Sequence, residues 1–331
     1  MFLPLALLSG CNMVVMNPTG DIALQERNLI LLSLAVMLVV VIPTMVLTVV
    51  FALRYRKGRS PHLYDPHFHH STKLEMVIWL VPLAIILCLG VVTWITTNTL
   101  DPFRPIERIA ADKPLPANAK HLDIQVVAMD WKWLFIYPEQ GIATVNELAL
   151  PVDVPVRFSI TSTSQMNTFY APTLAGMIYA MPGMQSQLHA VLNHAGDSWG
   201  FSGNYTGDGF SDMRFRLHGT DQAGFDQWVA KVKASTGALT TDNYLALEKP
   251  SNKTPVTYFS AAPQDLYGRI LNRCVTPGTA CLYELMAKDR AADRDNGGIM
   301  SMPAMEHSSG THPMNSTMDH HQMAHPAESG T

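Results

Sequence analysis

Residues 200–213, GFSGNYTGDGFSDM, bring together the side chains that most invite a chemical reading. Asp208 and Asp212 place two carboxylates in one stretch, the raw material of acid–base work. Nothing beside them reads as a nucleophile or an oxyanion donor, and four glycines interleaved with Ser, Asn, Thr and Asp make the stretch a turn-rich loop. In such a loop the two carboxylates read as solvated turn formers. Met213 closes the stretch with a thioether, a soft ligand for copper. His189, His194 and His218 are scattered around it without ligand spacing.

Two further groupings raise metal chemistry. The C-terminal tail carries Met300, Met302, Met305, Met314, Met318 and Met323 with His307, His312, His320, His321 and His325. Thioether and imidazole together suit copper, Cu(I) above all, but the irregular spacing defines no geometry. Weak, labile copper binding and a plain solubilising tail both remain open. His62, His67, His69 and His70 cluster in a segment that Pro61, Asp65 and Pro66 make a turn, and a turn at a membrane surface explains them without a metal. The four cysteines fall into three situations. Cys11 ends Leu8-Ser9-Gly10-Cys11, the form of a lipobox whose thiol receives diacylglycerol, although no basic residue precedes it. Cys88 lies in an apolar run and reads as a small buried packing residue. Cys274 and Cys281 bracket a turn-forming loop, as a disulfide or as two free thiols.

The elements that position these residues follow from hydropathy and punctuation. Of the 331 residues, 47% are hydrophobic and 15% charged, and the apolar excess lies near the N-terminus, which predicts a membrane anchor. A net charge of −4 without a long basic run argues against nucleic-acid binding. Residues 1–10 read as a lipoprotein signal peptide and 11–27 as a segment outside the cell. Residues 28–53 and 75–97 are each long enough to cross a ~30 Å hydrocarbon core. Pro43 predicts a kink facing protein in the first span, and Trp79 and Trp94 suit the two interfaces of the second. Arg54, Arg56, Lys57, Arg59 and Lys73 make the loop 54–74 cytoplasmic by the positive-inside rule. Residues 98–120, with four prolines, read as an extended linker. Within 121–219, alternation predicts strands over 121–127, 144–150, 154–161, 185–192 and 213–218, with an aromatic strand from Asp130 to Tyr137. Short strands with Gly and Pro punctuation predict a Greek-key sandwich. Residues 220–294 carry helical signals, a helix from Asp221 and another over 263–273, and 295–331 lack any apolar period.

Four stretches carry a family likeness: LLSGC over 7–11, MDWKWLFIYPEQGIATVNE over 129–147, IYAMPGMQSQLH over 178–189 and AGFDQWVAKVK over 223–233. Through them the chain resembles subunit II of bacterial cytochrome bo-type ubiquinol oxidases, the copper-free quinol branch of the haem–copper oxidases. The resemblance runs from about residue 8 to residue 259. It implies a two-helix transmembrane hairpin followed by an all-β, periplasmic, cupredoxin-like Greek-key sandwich with short added helices.

In the copper-bearing branch the loop reads Cys-x3-Cys-x3-His-x2-Met after an upstream His. On that frame Ser202 and Thr206 stand in the two Cys places, Phe210 in the His place, Met213 in the Met place, Asn204 for the carbonyl-donating Glu and Asn167 for the upstream His. Hydroxyl, amide and phenyl groups bind copper poorly, so the likeness implies a domain without a metal. Trp131 matches the place of electron entry from cytochrome c; with no copper behind it, the aromatic stretch is expected to pack the sandwich on a membrane-embedded partner. The resemblance further implies no cofactor bound by this chain, haems and copper in a large partner subunit I, smaller membrane subunits III and IV, ubiquinol reached through the complex, and contact with membrane lipid but not nucleic acid. The place implied is the bacterial inner membrane, with a lipid-anchored N-terminus and the C-terminal domain in the periplasm. The role implied is a non-catalytic subunit of a proton-pumping ubiquinol oxidase. A copper-relay subunit would need the thiolates that Ser202 and Thr206 lack. A membrane-tethered periplasmic copper-binding lipoprotein acting alone is the other class of reading.

Overall fold

The two apolar runs become the two longest helices, α1 (Asp21–Arg54) and α2 (Thr72–Thr99), in the computed structural model, which describes residues 13–56, 70–116 and 118–295. Cys11, His62, His67, His69 and the whole Met/His tail lie outside the described residues. The chain divides into two units, 1–285 and 286–331; of the second, the described part is the end of a helix. At 34 and 28 residues both helices exceed the ~20 that cross a bilayer at ~1.5 Å per residue. Their apolar windows bury nothing inside the chain, as expected of surfaces meant for lipid or another subunit. Cys88 shares that fate: it is exposed on α2, not buried as its apolar neighbourhood predicts, because no described residue covers that face.

The first helix begins seven residues earlier than hydropathy alone places the span. Its first two turns belong to the β domain: Asp21 and Ala23 are buried, and Asp21 takes Arg108 in a two-pronged ion pair (Nε–Oδ2 2.9 Å, Nη2–Oδ1 3.2 Å). The preceding strap is tied down as well. Thr19 and Gly20 donate their N–H groups to Thr173 O, and Asn193 N–H donates to Thr19 O at 2.7 Å. A Cβ on Gly20 would lie 2.6 Å from Leu174 O, so glycine allows the close approach. Residues 98–120, read as a linker, also contain structure: β1 (Arg108–Ala110) and β2 (Lys113–Pro114) form a small antiparallel ribbon.

The remaining strands are β3 (Leu122–Met129), β4 (Lys132–Tyr137), β5 (Ile142–Val145), β6 (Glu147–Pro151), β7 (Pro155–Ser162), β8 (Asn167–Ala171), β9 (Ala175–Ala180), β10 (Ser186–Val191), β11 (Gly196–Ser202), β12 (Arg214–Thr220) and β13 (Thr257–Phe259). They form a six-stranded sheet, β10-β7-β3-β4-β5-β13, and a five-stranded sheet, β6-β12-β11-β8-β9. Four helices follow or interrupt them: α3 (Gln222–Lys233), α4 (Thr241–Glu248), α5 (Leu266–Leu271) and α6 (Leu282–Asp295). The architecture is the expected helical hairpin with a two-sheet sandwich and short added helices. The boundary expected at 219/220 is not respected, since β13 comes from the helical segment and pairs with β5.

The aromatic strand explains why. In β4 every residue is buried. Trp133, Phe135 and Tyr137 point between the sheets, where Phe169 and Phe215 stack at 5.2 Å and Trp133 meets both edge-on at 5.5 and 5.8 Å. Leu134 and Ile136 point the other way, onto Leu239, Tyr244, Leu266 and Ile270. A strand covered on both faces has no reason to alternate, which is why β4 reads as one apolar run. These rings therefore form the interior of the sandwich, not a surface for a partner, because α4 and α5 already cover the outer face. Cys274 and Cys281, beyond α5, are joined in a disulfide with Cα atoms 4.8 Å apart.

One strand predicted over 144–150 is two. Asn146 adopts φ +58°, tolerated by Asn better than by most residues, and its amide replaces the broken ladder: Oδ1 accepts from Trp133 N–H at 2.8 Å and Nδ2 donates to Thr254 O at 2.8 Å. Here the chain leaves one sheet and enters the other.

Candidate functional site

The glycine-rich loop leaves β11 at Ser202 and enters β12 at Arg214. Two glycines shape it. Gly207 has φ +101°, and Gly209 lies so close under the Trp131 ring that no Cβ would fit. Trp131, itself at φ +65° in the β3–β4 turn, donates its indole N–H to Thr206 O at 3.0 Å. A single 3-10 turn, Phe210–Asp212, then returns the chain to β12.

Of the six frame positions, the fold brings Asn167 and Ser202 into direct contact. β8 and β11 are neighbours, and the buried Ser202 hydroxyl lies 3.4 Å from Asn167 Oδ1 and 3.3 Å from Asn204 O. Asn167 spends its amide N–H groups on Gln165 O at 3.1 Å and Ser162 Oγ at 3.4 Å. Asn204 donates to Met166 O at 2.9 Å. Thr206 is buried, and its hydroxyl finds no hydrogen-bond partner among the described residues. Phe210 is half-buried with its ring 5.6 Å from that of Tyr205, edge to face. Met213 is fully buried in the inter-sheet core with Phe169 and Phe215. No side-chain hydrogen bond links Thr206, Phe210 or Met213 to the Asn167–Ser202 pair.

Tested against copper, this donor set does not fit. It offers two hydroxyls, two carboxamides, a phenyl ring and one thioether committed to the core, where copper wants thiolate and imidazole. Among the described residues no group of three His, Cys, Asp or Glu side chains could hold a metal ion. Asp208 and Asp212 are exposed on the loop.

The histidines are placed elsewhere. His189 is buried with Nδ1 3.2 Å from Pro102 O; burial pulls its pKa below the usual imidazole range, and that carbonyl opposes the shift. His70, near the start of α2, lies 3.7 Å from Glu75. His218 stands between two carboxylates, Nδ1 2.7 Å from Asp197 and Nε2 3.4 Å from Glu147. That second cluster was not legible in the sequence, since its members come from β6, β11, β12, α3 and β13. Glu147 Oε1 also accepts Trp228 Nε1–H at 2.8 Å and the Tyr258 hydroxyl at 2.7 Å. Burial and the neighbouring Glu147 raise the Tyr258 pKa. A second buried charge was missed too. Lys132 is fully buried and donates to Lys249 O at 2.8 Å and Asp130 O at 3.3 Å, with burial lowering its pKa and the Asp130 charge opposing the change. Both arrangements tie the segment after α3 to the sandwich.

The family model of the COX Aromatic Rich Motif matches residues 233–278, the segment that supplies α4, β13 and α5. The chain is 48% identical over 277 residues to cytochrome bo(3) ubiquinol oxidase subunit 2 of Pseudomonas aeruginosa, covering 84% of this chain and 81% of that protein. It is 47% identical over 265 residues to ubiquinol oxidase subunit 2 of Acetobacter aceti, covering 80% of this chain and 84% of that one. Among solved structures, the periplasmic domain of subunit II of cytochrome oxidase from Bradyrhizobium japonicum aligns with a TM-score of 0.32 at 21% identity, over 33% of this chain and 91% of that one.

Proposed function

Since the chain belongs to the subunit 2 family of bacterial ubiquinol oxidases, we propose that it works as a non-catalytic structural and assembly subunit of a proton-pumping ubiquinol oxidase, with no redox centre of its own. In this reading the haems and copper reside in a large subunit I, which oxidises ubiquinol and reduces oxygen to water. α1 and α2 pack on that subunit within the inner membrane, smaller subunits III and IV complete the complex, and the sandwich caps it on the periplasmic side. Cys11 carries a lipid, and the tail binds copper weakly or not at all.

The observation that carries the reading is the loop itself. Where an electron relay would need thiolate and imidazole, Ser202 and Asn167 hydrogen-bond one another and Met213 is consumed by the core. Quinol gives up its electrons from within the bilayer, so a relay through the periplasmic domain has no task. The lipid-ready faces of both helices support attachment to a membrane-embedded partner.

The test is purification of the tagged full-length chain from membranes in mild detergent, with absorption spectra, metal content and quinol oxidation measured together. The expected result is a haem-containing complex with quinol oxidase activity. A chain that purifies without haem and holds copper would replace this reading with the lone copper-binding lipoprotein. A second measurement tests the frame: Asn167→His, Ser202→Cys, Asn204→Glu, Thr206→Cys and Phe210→His together should give a folded chain with a mixed-valence copper EPR signal. A folded variant that takes up no copper would sink the alignment of the loop.

A further inference from the structure

A cavity of about 500 Å³, well within the size range of ligand pockets, opens where the helical hairpin meets the sandwich, between the strap before α1, the first turns of α1 and the β1–β2 ribbon. Leu24 and Arg27 of α1 line it, with Asp21, Asp112, Lys113, Asp153 and His194. Its depth follows from the helix: Arg27 is the last charged residue before Asn28 and the unbroken apolar run, so it lies at the level of lipid headgroups when α1 crosses a bilayer.

Pairing the charges leaves two over. Asp21 is held by Arg108, and Asp153 by Lys113 at 3.0 Å. Arg27 has no carboxylate partner among the described residues: Nη2 reaches the amide oxygen of adjacent Asn28 at 3.2 Å, and the buried Nε–H has no acceptor. A guanidinium carries five donors and seeks an anion whose oxygens match its fork. Asp112, exposed at the ribbon's turn, likewise has no cation beside it among the described residues. Arg27 with a buried, unpartnered Nε–H, the exposed Asp112 without a cation beside it among the described residues, and the side chain of Leu24 line one space.

We propose that this cavity binds a zwitterionic phospholipid, its phosphate on Arg27 and its ammonium on Asp112, and so fixes the height of the sandwich above the membrane. Neither an anionic lipid nor free phosphate satisfies both groups. The site requires α1 to span a bilayer, as proposed above, but not the oxidase role, and flotation of the chain with vesicles tests the span separately.

The experiment is native mass spectrometry of the full-length chain in detergent, titrated in parallel with phosphatidylethanolamine, phosphatidylglycerol and inorganic phosphate. The wild-type chain should retain one phosphatidylethanolamine in preference to the other two. Arg27→Gln should weaken that binding by about tenfold or more, the size of a lost charge-assisted hydrogen bond. Asp112→Asn, on an exposed turn where folding is not at stake, should abolish the preference for phosphatidylethanolamine over phosphatidylglycerol while keeping lipid bound. The proposal is overturned if Arg27→Gln with an unchanged melting temperature holds the lipid as tightly as wild type. It is also overturned if Asp112→Asn leaves the preference intact, or if inorganic phosphate displaces the lipid at comparable concentration.

Discussion

Replacing Gly209 by alanine adds a single methyl group and should be among the most damaging small changes in the loop. The backbone is not the reason, because Gly209 has φ −91° and ψ 5°, which alanine adopts freely. The new Cβ would instead overlap Trp131 Cγ and Cδ2 and Asn252 Oδ1. The ring has little room to retreat, since Trp131 is pinned at φ +65° and its indole N–H is bonded to Thr206 O. Overpacking of this kind costs about 1–3 kcal/mol, and the broken hydrogen bond adds about 1 kcal/mol. For a domain of this size each kcal/mol moves the melting temperature by about 2–4 °C, so the two costs together lower it by roughly 4–16 °C. Gly268→Ala is the matched control. A Cβ at Gly268 meets nothing within 4 Å, and the residue lies in α5, where alanine is favoured over glycine by about 0.5–1 kcal/mol. The assay is thermal unfolding of the detergent-solubilised full chain by near-ultraviolet circular dichroism. The reasoning is refuted if Gly209→Ala melts within about 2 °C of wild type, or if Gly268→Ala loses as much as Gly209→Ala.

Glu147→Ala should destabilise the β domain by about 3 kcal/mol, because the Trp228 and Tyr258 donors lose a charged acceptor; Glu147→Gln, which keeps an acceptor, should lose about 1 kcal/mol in the same melts. Lys132 predicts a pH dependence. Its pKa is lowered in the folded chain, so between that value and the unfolded value near 10.4 the unfolded state holds the extra proton, and stability rises with pH across that window. Lys132→Met should remove this rise, and a wild-type-minus-variant stability curve that stays flat up to about pH 10.5 would contradict it. Replacing Cys274 and Cys281 with serine frees a short loop and should cost roughly 2–3 kcal/mol by chain entropy, measured as the melting difference between oxidised wild type and the double variant.

Hydropathy revealed the helical hairpin because lipid-facing helices are apolar all round and need no tertiary information. It places the span from residue 28 but does not see the two helical turns before it, which obey the β domain through Asp21 and Arg108, partners 87 residues apart. Alternation revealed β3, β7, β10 and β12, which present one face to the core. It missed β8, β9 and β11, where Gly, Ser and Asn interrupt the pattern and sheet pairing rather than propensity holds the strand. Asn146 was invisible for another reason: a left-handed residue inside an apolar run leaves no trace in periodicity. At the loop, Asn167 and Ser202 could be matched by spacing alone, yet the hydrogen bond between them depends on β8 lying beside β11. The Glu147 cluster depends on five separate elements, so no local window contains it.

The change of sheet at Asn146 also governs when the domain can fold. Among the described residues β6 pairs with β12 alone, with Glu147 opposite Arg216, so about 70 residues must be in place before the pairing exists. β5 likewise waits for β13 to close its outer edge, with Ala143 opposite Phe259. Closing loops of that length is entropically slow, and nearest-neighbour hairpins cannot substitute for it. The unfinished domain therefore shows open strand edges until β13 has emerged, which makes the segment 233–278 that carries it the part that ends its exposure to aggregation.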